Sequence, residues 1–154
     1  MEILYQGNEG AYSQLAAVEI FPKANLISCK TFEDCSQKCT NDESFRAIIP
    51  IENSIAGRVA DIQYLMNKYK LQIYAEHFHR VSHNLIAKPG VKIKDLKSVR
   101  SHSQAISQCQ KLINQYRLEP IIAADTAGSA KYISENSLDD EAAIASTLAA
   151  KIYN

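Results

Sequence analysis

The sequence predicts an α/β protein with largely parallel strands, divided into two lobes. Three observations carry that expectation. Short strand-like runs alternate with helix-length amphipathic ones along the whole chain. One period-two run, residues 71 to 86, is longer than the usual strand of roughly 5–6 residues, as a bent crossing between two packed units would be. The same alternation of short strands and helices then starts again beyond it. The 154 residues are 46% hydrophobic and 22% charged, enough for a sizeable buried core.

The elements follow in order. Ile3-Leu4-Tyr5 opens as a buried strand and breaks at Gly7 and Gly10, and a helix from about Ser13 to Ile20 stops near Pro22. Leu26 to Cys29 is the next strand. Thr31 with Asp34 three places on resembles a capping box for a second helix, and Ala47-Ile48-Ile49 is an apolar strand ended by Pro50. From Arg58 to Tyr69 the positions Val59, Ile62, Leu65 and Met66 fall on one helical face. In the long run, Leu71, Ile73, Ala75, His77, His79 and Val81 alternate with more polar neighbours. The lobes are therefore expected at 1–76 and 77–154. Beyond the crossing, Val99 lies in a strand ending at Ser101, and Ser103 to Gln115 is a helix with Ile106, Cys109, Leu112 and Ile113 inward. Ile121 to Ala124 is a strand, Asp125 caps a helix from Thr126 to Ile133, and Ala142 to Ala145 leads into a helix ending near Tyr153.

Charge and cysteine usage narrow the function classes. Seventeen basic residues balance seventeen acidic ones, so no overall field gathers nucleic acid or an anionic membrane. No apolar run approaches the ~20 residues of a membrane span, and the opening residues read as a strand and not as a signal sequence. A cytoplasmic protein with reduced thiols is expected, since Cys29, Cys35, Cys39 and Cys109 include no CxxC pair. His77, His79 and His83 have a spacing that suggests zinc, but no Cys or carboxylate in the sequence obviously completes a set. No metal site is expected. The sequence contains no GxGxxG, Walker loop or GxSxG.

Four polar clusters fall just after strands and at helix starts: Asn8-Glu9-Gly10, Glu52-Asn53-Ser54, Ser101-His102-Ser103-Gln104 and Asp125-Thr126-Ala127-Gly128. In open α/β sheets ligands bind outside the carboxyl ends of strands, where helix N-termini offer N–H groups to an anion. Such residues serve equally as plain caps, and both readings stay open at this point. Glu52-Asn53-Ser54 is less simply a cap, because Gly57 follows it and allows close backbone approach.

Together these clusters resemble the prephenate dehydratase family along nearly the whole chain. YQGNEGAYSQLAA from Tyr5 to Ala17 is similar to the family's YLGPEGTFS-like opening. IPIENS followed by Gly57 matches PIENS-x-x-G, the most specific motif of the set. Ser82-His83-Asn84-Leu85 matches an HxL stretch, SHSQAISQC from Ser101 matches SHPQALxQC, DTAGSAKYI from Asp125 matches DTAxAA, and Ala142 to Ser146 match AAIAS. The resemblance implies a two-lobed, periplasmic-binding-protein-like fold with a substrate cleft between the lobes. It also implies decarboxylative dehydration of prephenate to phenylpyruvate in phenylalanine biosynthesis, without metal or organic cofactor. By position it makes Asn53, Ser54, Gln108 and Thr126 catalytic, and Glu52, Arg58, Ser101, Gln104, Ala127 and Gly128 substrate-binding. Gln108 and Arg58 also read as helix-surface residues. Ser103 replaces the family's usual proline. A homodimer is expected. Family members continue into a Thr-Arg-Phe strand and a regulatory domain, and the sequence reaches Asn154 before either, so turnover by this chain alone is an open expectation. The alternatives are arogenate dehydratase and a non-catalytic module that binds an aromatic acid.

Overall fold

A computed structural model describes residues 1–59, 61–136 and 139–154. Contacts divide it into a first unit, Met1–Asn8 with Tyr12–Arg80, and a second, Glu9–Ala11 with Val81–Asn154.

The first unit is built on strand β1 (Glu2–Gln6), which runs parallel to β2 (Asn25–Cys29) on one side and β3 (Phe45–Ile48) on the other. Ile3, Leu4 and Tyr5 are consecutive and all buried, which a strand achieves only when both faces of its sheet are covered. Leu4 packs with Cys35 of helix α2 (Phe32–Asn41) and Cys29, while the neighbouring side chains point to the opposite face. Helix α1 (Tyr12–Ile20) buries Ala16 and Ala17. Thr31 caps α2 as its sequence predicts, its hydroxyl accepting the Asp34 amide at 3.0 Å.

Two expectations change here. The helix predicted from Arg58 begins only at Ile62 (α3, Ile62–Lys68). Arg58 instead pairs across from Glu52 in a short hairpin of β4 (Glu52–Asn53) and β5 (Gly57–Arg58), and Asp61 then takes a left-handed backbone at φ 67°. Ala60, within the same stretch, lies outside the described residues. The long strand predicted over residues 71–86 is a strand only at β6 (Asn84–Ile86). Residues 71–83 carry no ladder, and Ile73, Tyr74 and Phe78 are 66%, 76% and 90% exposed. Period-two alternation specifies which side chains share a face, but a strand also needs a neighbour to bond its backbone.

In the second unit, β7 (Ser98–Ser101), β8 (Glu119–Ile122) and β9 (Glu141–Ala145) are parallel, and β6 joins antiparallel, in the order β6-β9-β7-β8. All five residues of β9 are buried. Ala142 and Ile144 enter one core with Val99, Ala105, Ile106 and Ile113, and Ala143 and Ala145 enter a second with Ala127, Ala130, Ile133 and Ala149. The helix predicted over 103–115 is broken at Cys109 into α4 (Ser103–Gln108) and α5 (Gln110–Tyr116). Cys109 donates to both Ala105 O at 3.0 Å and Ile106 O at 3.2 Å, and its carbonyl accepts both the Leu112 and Ile113 amides at 3.0 and 3.1 Å, bifurcated bonds that tighten the helix there. Helix α6 (Thr126–Glu135) and helix α7 (Thr147–Tyr153) complete the unit. No helix among the described residues is long and apolar enough to cross a membrane.

Candidate active site

Sheet register explains why residues distant in sequence converge in the second unit. Strands β7, β8 and β9 run in one direction, with Ser101 opposite Ile122 and Arg100 opposite Ala143, so the starts of α4, α6 and α7 follow one common edge. The antiparallel β6 enters at that same edge, with Asn84 opposite Ala145. His83, Ser101, Gln104, Asp125, Thr126 and Ser146 are thus gathered at the carboxyl edge of a parallel sheet, where open α/β folds bind ligands.

The individual groups are held in different ways. Ser101 is fully buried and its hydroxyl donates to Ile144 O at 2.6 Å, so the side chain ties β7 to β9. Ala127 is also fully buried. The Asp125 carboxylate accepts the Gly128 amide as the cap of α6, which engages one of that helix end's donors and offsets part of its positive charge. Thr126 is half-buried at the first turn. Gln108 is not merely a surface residue of its helix: its Oε1 lies 3.0 Å from His83 Nε2, in a part-buried contact. With Nε2 protonated, His83 donates and fixes which way the glutamine amide faces. Gln104 is exposed and its amide donates to His102 Nδ1 at 3.3 Å.

Glycine 10 joins this edge from far away in sequence. Its carbonyl accepts the Ser146 hydroxyl at 2.5 Å, and Ser146 Oγ in turn accepts the Ala149 amide at 3.0 Å to cap α7. Gly10 has φ +88°, and a Cβ there would stand 2.6 Å from Ala149 Cα. Only glycine fits. Nearby, burial first and then the negative charges of Glu9, Asp125 and Glu135 push the Tyr153 phenol up from its ordinary value of 10.0.

In the first unit the IPIENS stretch follows β3 at the carboxyl end of its sheet. Asn53 Oδ1 accepts the Ile55 and Ala56 amides at 2.9 and 3.0 Å, an Asx turn that shapes the hairpin tip. Gly57 supplies φ +80° opposite Asn53. Glu52, Ser54 and Arg58 are exposed around this turn. A recess lined by Met1, Phe21, Pro22, Lys23 and Ala24 lies at the amino end of β1 and includes none of these residues.

A model of the prephenate dehydratase family matches residues 3–154. The chain belongs to the prephenate dehydratase family. It is 39% identical over 153 residues to arogenate dehydratase/prephenate dehydratase 2, chloroplastic, of Arabidopsis thaliana, covering 99% of this chain and 40% of that protein. Two solved structures share the fold. One, GqqA, is described as a novel type of quorum-quenching acylase and superposes with a TM-score of 0.89 at 35% identity, over 99% of this chain and 56% of the other. The second is prephenate dehydratase of Arthrobacter aurescens in complex with L-Phe, at TM-score 0.88 and 26% identity, over 99% and 52%. The chain thus spans about two-fifths of the length of the plant relative and about half of each of the two solved chains. The α/β, periplasmic-binding-protein-like fold class expected from the motifs is the fold of the family.

Three contacts escaped the sequence reading: His83 with Gln108, Gly10 with Ser146, and Glu19 with His77 and His79. His83 stood in a recognised motif, which was a signal for the first. No pattern in the chain pairs residues as far apart as 10 and 146.

Proposed function

We propose that this chain carries out, or contributes the catalytic part of, decarboxylative dehydration of prephenate to phenylpyruvate in phenylalanine biosynthesis. The observation that carries the reading is the family match from residue 3 to residue 154 in a chain whose second-unit motif residues gather on one sheet edge. In the reaction the bond from the ring to its carboxylate breaks and releases CO2. The electron pair moves into the ring, and the ring hydroxyl leaves as water after gaining a proton. Aromatisation supplies the drive, so the protein's task is to hold a dianion and assist the departing hydroxyl. Thr126 offers a hydroxyl at the start of α6 and Gln108 an amide aligned by His83, and these are the groups we assign to that departure. Ser101 and Ala127 act by holding the edge in shape. By resemblance Asn53 and Ser54 are assigned a catalytic role, and Glu52, Arg58, Gln104 and Gly128 substrate binding.

Arogenate is the second substrate reading, supported by the relative whose name includes both activities. The name of a Komagataeibacter europaeus relative, bifunctional N-acyl-homoserine lactone acylase/prephenate dehydratase, makes an acyl-homoserine lactone the control substrate. A cytoplasmic location is favoured by the four free thiols, although the plant relative is named chloroplastic. A homodimer is the assembly we propose, to be checked by sedimentation.

The test is phenylpyruvate release from prephenate, with arogenate and an acyl-homoserine lactone alongside. It is run on this chain and on the chain extended by the downstream segment of a relative. Catalysis is expected in at least the extended form, with Thr126→Ala lowering kcat about a hundredfold. Saturable binding of prephenate with neither form exceeding the uncatalysed rate would leave a binding module in place of the enzyme.

A further inference from the structure

We propose that Glu19, His77 and His79 of the first unit form a binding site for a borderline divalent cation of the zinc class. This site is separate from the dehydratase reading and neither depends on the other. Glu19 Oε2 lies 2.8 Å from His77 Nε2 and 3.0 Å from His79 Nδ1. The ligand atoms of all three residues fall within 4.8 Å of one another. Zinc bonds of about 2.0–2.1 Å in a tetrahedron place neighbouring donors about 3.3 Å apart, so the two separations from Glu19 need to open by only about half an ångström, and the two ring nitrogens already lie within 4.8 Å of each other.

The arrangement follows from the local backbone. His77 and His79 are two apart in an extended segment, which puts both rings on one side, and α1 brings Glu19 to that side. The Tyr12 ring, one helical face along, lies 6.2 Å from the His79 ring and limits its freedom. The donor set of two imidazole nitrogens and one carboxylate oxygen suits zinc, cobalt, nickel or copper, whereas calcium and magnesium favour oxygen cages. Side-chain exposures of 49% for Glu19, 34% for His77 and 15% for His79 leave room for water at the remaining position, as in three-ligand zinc sites. Hydrogen bonds from protonated rings use the same atoms. With a cation, each nitrogen gives a lone pair to the metal in place of a proton to the oxygen. The consequence is mechanical: the cation ties residues 71–80, which form no ladder, to α1.

The experiment titrates the full chain, stripped with a chelator, with zinc by calorimetry and with cobalt by visible absorption. One saturable equivalent is expected, with a cobalt spectrum lacking a thiolate charge-transfer band. Glu19→Gln, His77→Ala and His79→Ala should each weaken binding about tenfold or more, since even supporting partners of a ligand are worth that much. His83→Ala and Cys39→Ser should leave it unchanged. Zinc should also slow amide exchange across residues 71–80 in the parent chain and not in Glu19→Gln. The three ligand residues are on the surface, and circular dichroism checks that each variant folds. The proposal is overturned by an absence of saturable binding, by binding that survives His79→Ala and Glu19→Gln together, or by a thiolate band in the cobalt spectrum.

Discussion

The two units are consolidated by different forces. In the second, β9 is buried along its length and sends alternate side chains into two apolar cores. In the first, β1 is as well buried, but the chain after α3 is attached mainly by polar clips. Thr40 Oγ1 donates to Tyr69 O at 3.1 Å, Lys68 and Tyr69 both reach Glu33, Arg46 lies 5.2 Å over the Tyr74 ring, and His77 and His79 share Glu19. Apolar burial contributes about 25 cal/mol per Å² at any pH, whereas exposed ion pairs contribute about 0–1 kcal/mol and depend on salt and protonation. The second unit should therefore be the harder to open, and the end of the first the easiest.

The largest test removes the one large apolar side chain of β9. Ile144→Ala should cost about 3–4 kcal/mol, read as lost amide protection across β7 and β9 by hydrogen exchange. Equal loss of protection at β1–β3 would break the comparison, because it would make the chain one cooperative block. Next is Gly10→Ala, which combines a forbidden backbone angle with a contact of 2.6 Å to Ala149 Cα. We expect about 3 kcal/mol, from strain and overpacking together. Gly90→Ala sharpens the result: φ there is +89° and nothing lies within 4 Å of an added Cβ. It should lose only the cost of the left-handed conformation, about 1–2 kcal/mol, and the difference between the two variants isolates the packing. Smaller again is Asp125→Ala, where loss of the α6 cap should cost about 1 kcal/mol, measured by denaturant midpoint.

How much of this was legible in the sequence divides along physical lines. The cap residues Thr31 and Asp125 and the strands around Leu4 and Ile144 were readable because each is fixed by groups close by in the chain. The motifs around Glu52, Ser101 and Thr126 identified the family. What failed needed information from elsewhere in the fold. The start of α3 depended on Arg58 finding Glu52 across a hairpin. The alternation from Leu71 onward gave the common face of His77 and His79 correctly, yet the missing ladder is a fact about neighbours. Glu19 was passed over as a metal ligand because 58 residues separate it from His77. Of the site residues, Ser101 and Ala127 were recognisable by motif, but their complete burial was set by β9 and α7, elements that no local pattern ties to them.

The smallest effect probes the weaker region through its protonation. Hydrogen bonds from Lys68 and then from Tyr69 hold the Glu33 carboxyl below its ordinary value of 4.5. A carboxyl lowered in the folded state contributes its full stabilisation above 4.5 and loses it as pH falls through the folded value. The same contact raises the Tyr69 phenol above 10.0 and the Lys68 ammonium above 10.5, in each case chiefly through Glu33. Groups raised on folding stabilise fully below their ordinary values, and that contribution disappears as pH rises through the folded ones. The contact is therefore constant between about pH 4.5 and 10 and weakens on both sides. Glu33→Gln should flatten both shoulders of the thermal midpoint against pH, with parent and variant converging in acid and with added salt narrowing the gap between them. Amide exchange at Tyr69, Lys70 and Leu71 localises the change: faster exchange in the variant at neutral pH, with a difference that shrinks as pH falls below 4.5, is the expected result. Identical exchange in parent and variant at neutral pH would mean that the clip on Glu33 does not hold the end of α3, and that apolar contacts of Ile62 and Leu65 secure it alone.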